Sequence, residues 1–262
     1  MSATDAPGTN RTEPALIVSQ PTNEKAIQMA EPVFHEYKTR EALAEALAAG
    51  VAAVLAGAIA TRGSATLVVS GGSTPKLFFE HLGQAEIEWN NVEITLVDER
   101  WVPETSERSN HALVKRHLMT GPASAANLLP FYTGHETPEE ALDDLKHRYC
   151  RLARPFDAVV LGMGTDGHTA SFFPGAENLD AVLHPEGHGE VAAVRAPGAG
   201  EPRITLTLPM LLDARLLALH IEGSEKQDVY GKAMGGDDVA EMPVRAILKA
   251  ERAEPLNVFW AP

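Results

Sequence analysis

The sequence predicts an α/β protein: a mostly parallel sheet with helices on both faces, built as one domain. Three observations carry this. Short apolar runs of strand length alternate with segments of helical period from residue 33 to the end. The length of 262 residues gives one large domain or two small ones, at a prior of about 150 residues each. No repeat, low-complexity block or charged linker interrupts the alternation, and one domain is the simpler reading. Residues 1–31, rich in Pro, Thr, Asn and Ala without a sustained period, read as a mobile tail ahead of a domain spanning 32–262.

The elements follow in order. Val33 to Tyr37 is a first strand. Thr39 caps a long helix, Glu41 suits its positive end, Leu43, Leu47, Val51, Val54 and Ala58 share one face, and Arg62-Gly63 ends it. Thr66–Val69 is a strand, Pro75–Leu82 a helix, Val92–Val97 a strand, and Ser109–Met119 a helix. Thr137-Pro138-Glu139-Glu140 is a capping box with proline at the first helical position, opening a helix to about Leu152 on Leu142, Leu145 and Tyr149. Strands follow at Asp157–Leu161, Val191–Arg195, Arg203–Thr207, Leu216–Ile221 and Leu256–Trp260, with helices near Ser224–Met234 and Val244–Lys249.

Composition narrows the function. Lys and Arg total 22 against 36 Asp and Glu, a formal net charge of -14. That argues against a sequence-independent nucleic-acid binder, which needs a basic surface, but leaves room for a small anion held by a local field. One cysteine, Cys150, rules out an internal disulfide framework and a Cys-rich zinc site, and reads as a spectator. The first residues lack the charge and apolar core of a secretory signal. The most membrane-like stretch, Ala46–Ala60, has only fifteen residues, against about 20 for a span. These readings give a soluble, cytoplasmic protein with no membrane or nucleic-acid partner. No heptad seam or dominant apolar face declares an oligomeric state.

Ligands of such sheets bind beyond the carboxyl ends of the strands, and three clusters fall there. Ser70-Gly71-Gly72-Ser73-Thr74-Pro75 follows strand 66–69. Its glycines allow close backbone approach, Thr74 can cap the next helix, and the helix start offers free N–H groups to a phosphate. Any tight βα turn shares part of this look. Asp98-Glu99-Arg100 follows strand 92–97, where Arg100 can grip a phosphate and Asp98 or Glu99 can orient a histidine or move a proton. The nearby Arg108-Ser109-Asn110 adds small polar groups.

The third cluster is Gly162-Met163-Gly164-Thr165-Asp166-Gly167-His168-Thr169. It matches G-x-G-x-x-G, but Pro174-Gly175 interrupt the crossover helix that a dinucleotide fingerprint needs, and Arg195 ends the strand where a ribose-binding acid belongs. No nicotinamide cofactor is expected. His168 on a glycine-framed turn can take a proton from water near neutral pH, and Asp166 can hold the imidazolium or the substrate. More weakly, Lys226 sits in a helix's first turn, where a cation makes sense if an anion docks beside it, with Ser224 as the cap. The histidines build no metal site: Pro185 and Gly187 break any helix joining His184 to His188, and His111 and His117 lie on opposite sides of one. No catalytic metal is expected.

Taken in sequence, VVSGGSTP (68–75), VDERWVP (97–103) with RSNHALV (108–114), LGMGTDGHTASFFPG (161–175) and PRITLT (202–207) resemble the 6-phosphogluconolactonase family, of the cytosolic single-domain type, from about Val33 to Trp260. The related glucosamine-6-phosphate deaminase and isomerase group shares the first loop and the histidine turn. It continues with a glutamate-bearing segment, where this chain has no glutamate between His168 and Glu177. The resemblance implies a modified Rossmann-like fold without a cofactor. It further implies hydrolysis of 6-phospho-D-glucono-1,5-lactone in the oxidative pentose phosphate pathway. It makes His168 the general base and Asp166 its orienting partner. Gly71, Gly72, Ser73, Thr74, Arg100, Arg203 and Lys226 become substrate contacts, with Asp98 and Glu99 completing the polar set. Arg203 either touches the substrate or braces the loop around it. Two other readings stay open: aldose–ketose chemistry with Asp98 as carbon base, and a non-catalytic sugar-phosphate sensor.

Overall fold

The structure, a computed structural model, describes Met1, residues 31–184 and residues 189–262. The expected tail thus falls outside the described residues over 2–30, as do Pro185, Gly187 and His188 of the histidine pair.

Among the described residues the chain runs β1 (Val33–Glu36), α1 (Arg40–Arg62), β2 (Ala65–Val69), α2 (Lys76–Gly83), β3 (Val92–Leu96), β4 (Asp98–Arg100), α3 (Asn110–His117), β5 (Asn127–Leu128), α4 (Leu142–Tyr149), β6 (Phe156–Leu161), α5 (Leu179–Leu183), β7 (Val191–Val194), β8 (Arg203–Leu206), α6 (Leu208–Leu212), β9 (Ala214–Glu222), α7 (Ser224–Gly235), α8 (Arg245–Leu248) and β10 (Leu256–Ala261).

α1 begins and ends where its residues dictate. Thr39 is extended and its Oγ1 accepts the Ala42 N–H at 3.2 Å, while Gly63 takes the left-handed conformation, φ 79°, that closes the helix. Its buried stripe is Leu43, Leu47, Val51, Leu55, Ala58 and Ile59; Val54, expected there, is only half-buried. By length and composition α1 can cross a membrane, being longer than the stretch counted from sequence. Its apolar stripe is instead buried in the common core, with α2 and the strands β2, β6, β9 and β10 packed against the helix.

Seven strands form one parallel sheet in the order β1-β10-β9-β6-β2-β3-β5. Every residue of β2 and β6 is buried, so both faces of the sheet are covered at its centre. From β2 the chain builds outward through β3 to β5; from β6 it builds the other way through β9 and β10. The boundary between β2 and β6 is therefore the topological switch point, where sheets of this kind open a crevice for ligands.

β7 and β8 do not join that sheet as expected. They pair antiparallel with each other, and β8 with β4, in a second sheet of order β4-β8-β7. The reason is chain length: the connection 195–202 is shorter than the dozen or so residues a parallel crossover requires. Asp98-Glu99-Arg100 is thereby a strand in its own right, entered directly from β3 through Val97. Two smaller differences concern helix starts. A turn over Pro138–Ala141 precedes α4, and Thr137 Oγ1 accepts only the Glu140 N–H at 3.4 Å. Gly223, with φ 85°, precedes α7, so Ser224 is its first residue and not its cap.

Candidate active site

The carboxyl ends of β2 and β6 open into a cavity of about 290 Å³, close to the small end of ligand clefts. Gly71, Gly72, Ser73, Thr74, Asp98, Arg100, His168, Arg203 and Lys226 all line it. Glu99 and Asp166 do not.

The turn after β6 is shaped around one side-chain pair. His168 Nδ1 lies 2.5 Å from Asp166 Oδ1, which also accepts the His168 N–H at 3.1 Å. A Cβ on Gly164 would fall 2.2 Å from His168 Nδ1 and 2.6 Å from Asp166 Oδ1. The second glycine of the apparent dinucleotide pattern thus makes room for this pair, and no pyrophosphate is needed to explain it. Gly167 takes φ 80°, its carbonyl accepts the Val244 N–H at 2.9 Å, and Thr169 Oγ1 donates to the Gly162 carbonyl at 2.8 Å. The imidazole stacks on Phe173, ring centroids 4.4 Å apart. The hydrogen bond from His168 holds the Asp166 carboxyl below the usual aspartate range, against partial burial.

The cavity lining also carries cations. Lys226, half-buried in the first turn of α7, donates from Nζ to Thr74 Oγ1 at 3.1 Å. Thr74 therefore does not cap α2; Pro75 occupies that position. Burial lowers the Lys226 pKa, while the neighbouring Glu222 and Glu225 oppose the shift. Arg100 donates from Nη1 to the Arg108 carbonyl at 2.7 Å, and its Nε is buried without a partner. Among the described residues neither side chain forms an ion pair, so both stand ready for an anion.

Arg203 braces the 195–202 loop, one of the two roles left open by sequence, through the Ala199 carbonyl, Nη2 to oxygen 2.7 Å, and also reaches the cavity. It lies 3.8 Å from Asp98 Oδ2 and over the Phe173 ring at 5.4 Å. Burial lowers its pKa, with Asp98 opposing and Arg100 adding to the shift. β4 and β8 place Arg100 directly opposite Arg203. Asp98 Oδ2 accepts the Ser171 hydroxyl at 2.6 Å.

Glu99 is a correction. Side chains alternate along a strand, so Asp98 and Arg100 face the cavity and Glu99 points away. Its carboxylate, wholly buried, accepts the backbone N–H groups of Arg100, Asn110 and His111, each at 2.8 Å, and the Ser109 hydroxyl at 3.0 Å. It anchors the start of α3. Burial raises its pKa, and these four hydrogen bonds oppose the rise.

Phe173, Ser171 and His220 were missed by sequence reasoning. His220 lines the cavity from β9, bonds Glu222 Oε1 through Nε2 at 3.1 Å and keeps a buried, unpartnered Nδ1. A histidine inside the apolar run Leu216–Ile221 was its only trace. Cys150 is exposed at the end of α4, outside the cavity lining. Elsewhere, Glu41, Glu45 and His81 bring potential ligand atoms within 4.8 Å of one another, and His81 Nε2 there already bonds Glu41 at 2.7 Å.

Residues 38–260 match the model of a family described as glucosamine-6-phosphate isomerases/6-phosphogluconolactonase. The chain belongs to this family. Within it, a 6-phosphogluconolactonase of Rhizobium meliloti is 51% identical over 229 residues, 87% of this chain and 98% of that one. One from Pseudomonas aeruginosa is 41% identical, covering 84% of this chain and 90% of its own. The crystal structure of a 6-phosphogluconolactonase from Shewanella baltica superposes with a TM-score of 0.85 at 41% identity, over 89% of this chain and all of that one. A monomeric glucosamine-6-phosphate deaminase superposes at 0.70 with 16% identity, covering 87% and 97%. That likeness is of fold alone, so the fold by itself does not separate the two chemistries.

Proposed function

We propose that the chain hydrolyses 6-phospho-D-glucono-1,5-lactone to 6-phospho-D-gluconate. The observation that carries this is one cavity lined by His168, which Asp166 holds from behind, and by the cations Arg100 and Lys226, neither of which forms an ion pair among the described residues. A lactone is an activated ester. It needs one base, a donor for the developing oxyanion and a grip on the distal phosphate.

Nδ1 of His168 is engaged by Asp166, which leaves Nε2 to accept a proton. Water attacks the lactone carbonyl carbon as Nε2 takes its proton. The tetrahedral intermediate collapses with cleavage of the bond to the ring oxygen, and the imidazolium returns the proton to that oxygen. The acid product then ionises. Asp166, held anionic, stabilises the imidazolium and fixes its tautomer. The phosphate, held by Arg100, Lys226 and the loop at Gly71–Thr74, orients the carbonyl. In this reading Arg203 and Asp98 shape the sugar site, no cofactor or metal takes part, and the reaction belongs to the oxidative pentose phosphate pathway. The same reading retains a 1–31 tail on a 32–262 domain and a cytoplasmic location.

Freshly made lactone, with 6-phosphogluconate dehydrogenase reporting product, tests it. A rate well above spontaneous hydrolysis is expected, and a rate equal to it overturns the reading. Ammonia release from glucosamine-6-phosphate would transfer the chemistry to Asp98. Against that stand the hydrogen bond tying Asp98 to Ser171 and the absence of a glutamate between His168 and Glu177.

A further inference from the structure

Asn110 and Gly71 come from different elements and fit into one another. Asn110 is the first residue of α3 and 2% exposed. It is tied twice to β4: its backbone N–H donates to Glu99 Oε1 at 2.8 Å, and Nδ2 donates to the Asp98 carbonyl at 2.9 Å. Its Oδ1 is buried without a hydrogen-bond partner, although Asn110 lines the cavity. A Cβ on Gly71 would fall 1.8 Å from that Oδ1, 2.1 Å from Cγ and 2.7 Å from Nδ2. Gly71 lies outside the left-handed region, and the three atoms that a Cβ there would meet first all belong to Asn110. Gly72 beside it is the reverse case, with φ 94° and open space around it.

A buried amide oxygen without a donor is costly, and here it sits against the loop that leads to Thr74 and Lys226. We propose that Asn110 is a positioning residue: it sets how closely the 70–74 loop approaches the cavity and so fixes the preference for phosphorylated over phosphate-free lactones. This rests on the lactonase reading above. The His168 turn meets this loop at its base, where the Gly162 N–H donates to Ser70 Oγ at 3.1 Å, and beyond that point it is held by contacts of its own, through Thr169 and Val244. A shift of the loop beyond Ser70, over residues 71–74, therefore disturbs phosphate binding more than it disturbs the proton-transfer pair.

The test measures Asn110→Ala, Gly71→Ala and the double variant on phosphogluconolactone and on glucono-1,5-lactone, with calorimetric binding of inorganic phosphate alongside. Asn110→Ala should raise KM for the phosphorylated lactone about tenfold, weaken phosphate binding by a similar factor and leave kcat within about twofold. Hydrolysis of the phosphate-free lactone should be unchanged within about twofold. Gly71→Ala should lose about a hundredfold in kcat/KM on the phosphorylated lactone, and the double variant should recover to the level of Asn110→Ala. Asn110→Ser, which keeps a residue suited to a helix start, replaces the alanine variant if that one fails to fold. Equal losses on both lactones, or a double variant worse than Gly71→Ala, overturn the assignment. Phosphate binding that responds to Asn110 in a protein hydrolysing no lactone would sink the lactonase reading and leave the loop assignment standing.

Discussion

The turns after β2 and β6 leave neighbouring strands of the sheet, are both rich in glycine and line the same cavity, yet their glycines answer to different neighbours. Gly71 and Gly164 each lack a side chain because another side chain fills the space. At Gly71 the intruder is Asn110, brought from α3; at Gly164 it is His168 and Asp166, from the same turn. The first turn is shaped from outside and the second by its own chemistry. A defect in the first can be relieved by trimming its neighbour, whereas in the second the colliding atoms are the reactive ones.

The largest expected effect breaks the second turn. His168→Ala should remove about 10²–10⁴-fold of kcat/KM in the coupled assay, and parental activity would clear His168 of the base role. Gly164→Ala comes next. It displaces the pair and should lower kcat about a hundredfold while phosphate affinity, read by calorimetry, stays at the parental value; unlike Gly71→Ala, no trimmed partner should restore it.

The first turn leans on α3, and α3 on Glu99. Glu99→Ala leaves three backbone N–H groups, one buried and two part-buried, without their acceptor and should cost about 2 kcal/mol in urea unfolding. An unchanged midpoint would show that the anchor carries no weight. Lys226→Ala should raise KM by about tenfold with kcat preserved, the scale of one hydrogen bond to a charged group. A fall in kcat instead would place Lys226 with the second turn.

The smallest effect is on stability in acid. The Asp166 pKa is lowered in the folded protein, so below its ordinary value the unfolded chain binds more protons. Its contribution is present above the unfolded pKa and is lost as pH falls through the folded one. Because the carboxylate is half exposed, about a few tenths of a kcal/mol are involved. Unfolding curves for Asp166→Asn should therefore approach those of the parent as pH is lowered below 4, and a constant gap would refute the linkage.

Much of this was legible in the sequence because the signals were local. Thr39 and Gly63 mark the ends of α1, and apolar runs mark β2, β3, β6, β9 and β10. The strand-end clusters then named most of the cavity wall. What escaped depended on distant partners or very short elements. β4 and β5 span too few residues to show a period. Without β4, Asp98, Glu99 and Arg100 read as one polar group, when alternation sends the middle carboxylate to the opposite side. Reading Asp-Glu-Arg as a strand was the one signal that separates them. The pairing of β7 with β8 was set by the length of the 195–202 connection, and Asn110 became meaningful only when α3 met the loop at Gly71.

The register that sets Arg100 opposite Arg203 has a consequence for the whole second sheet. Like charges facing each other across two strands repel, and Asp98, 3.8 Å from Arg203, offsets only part of that. Under the proposed function, a phosphate gripped by Arg100 neutralises one side of that pair and eases the repulsion. On that reading ligand binding steadies the seam between β4 and β8, and heat resistance should rise with the supply of sugar phosphate.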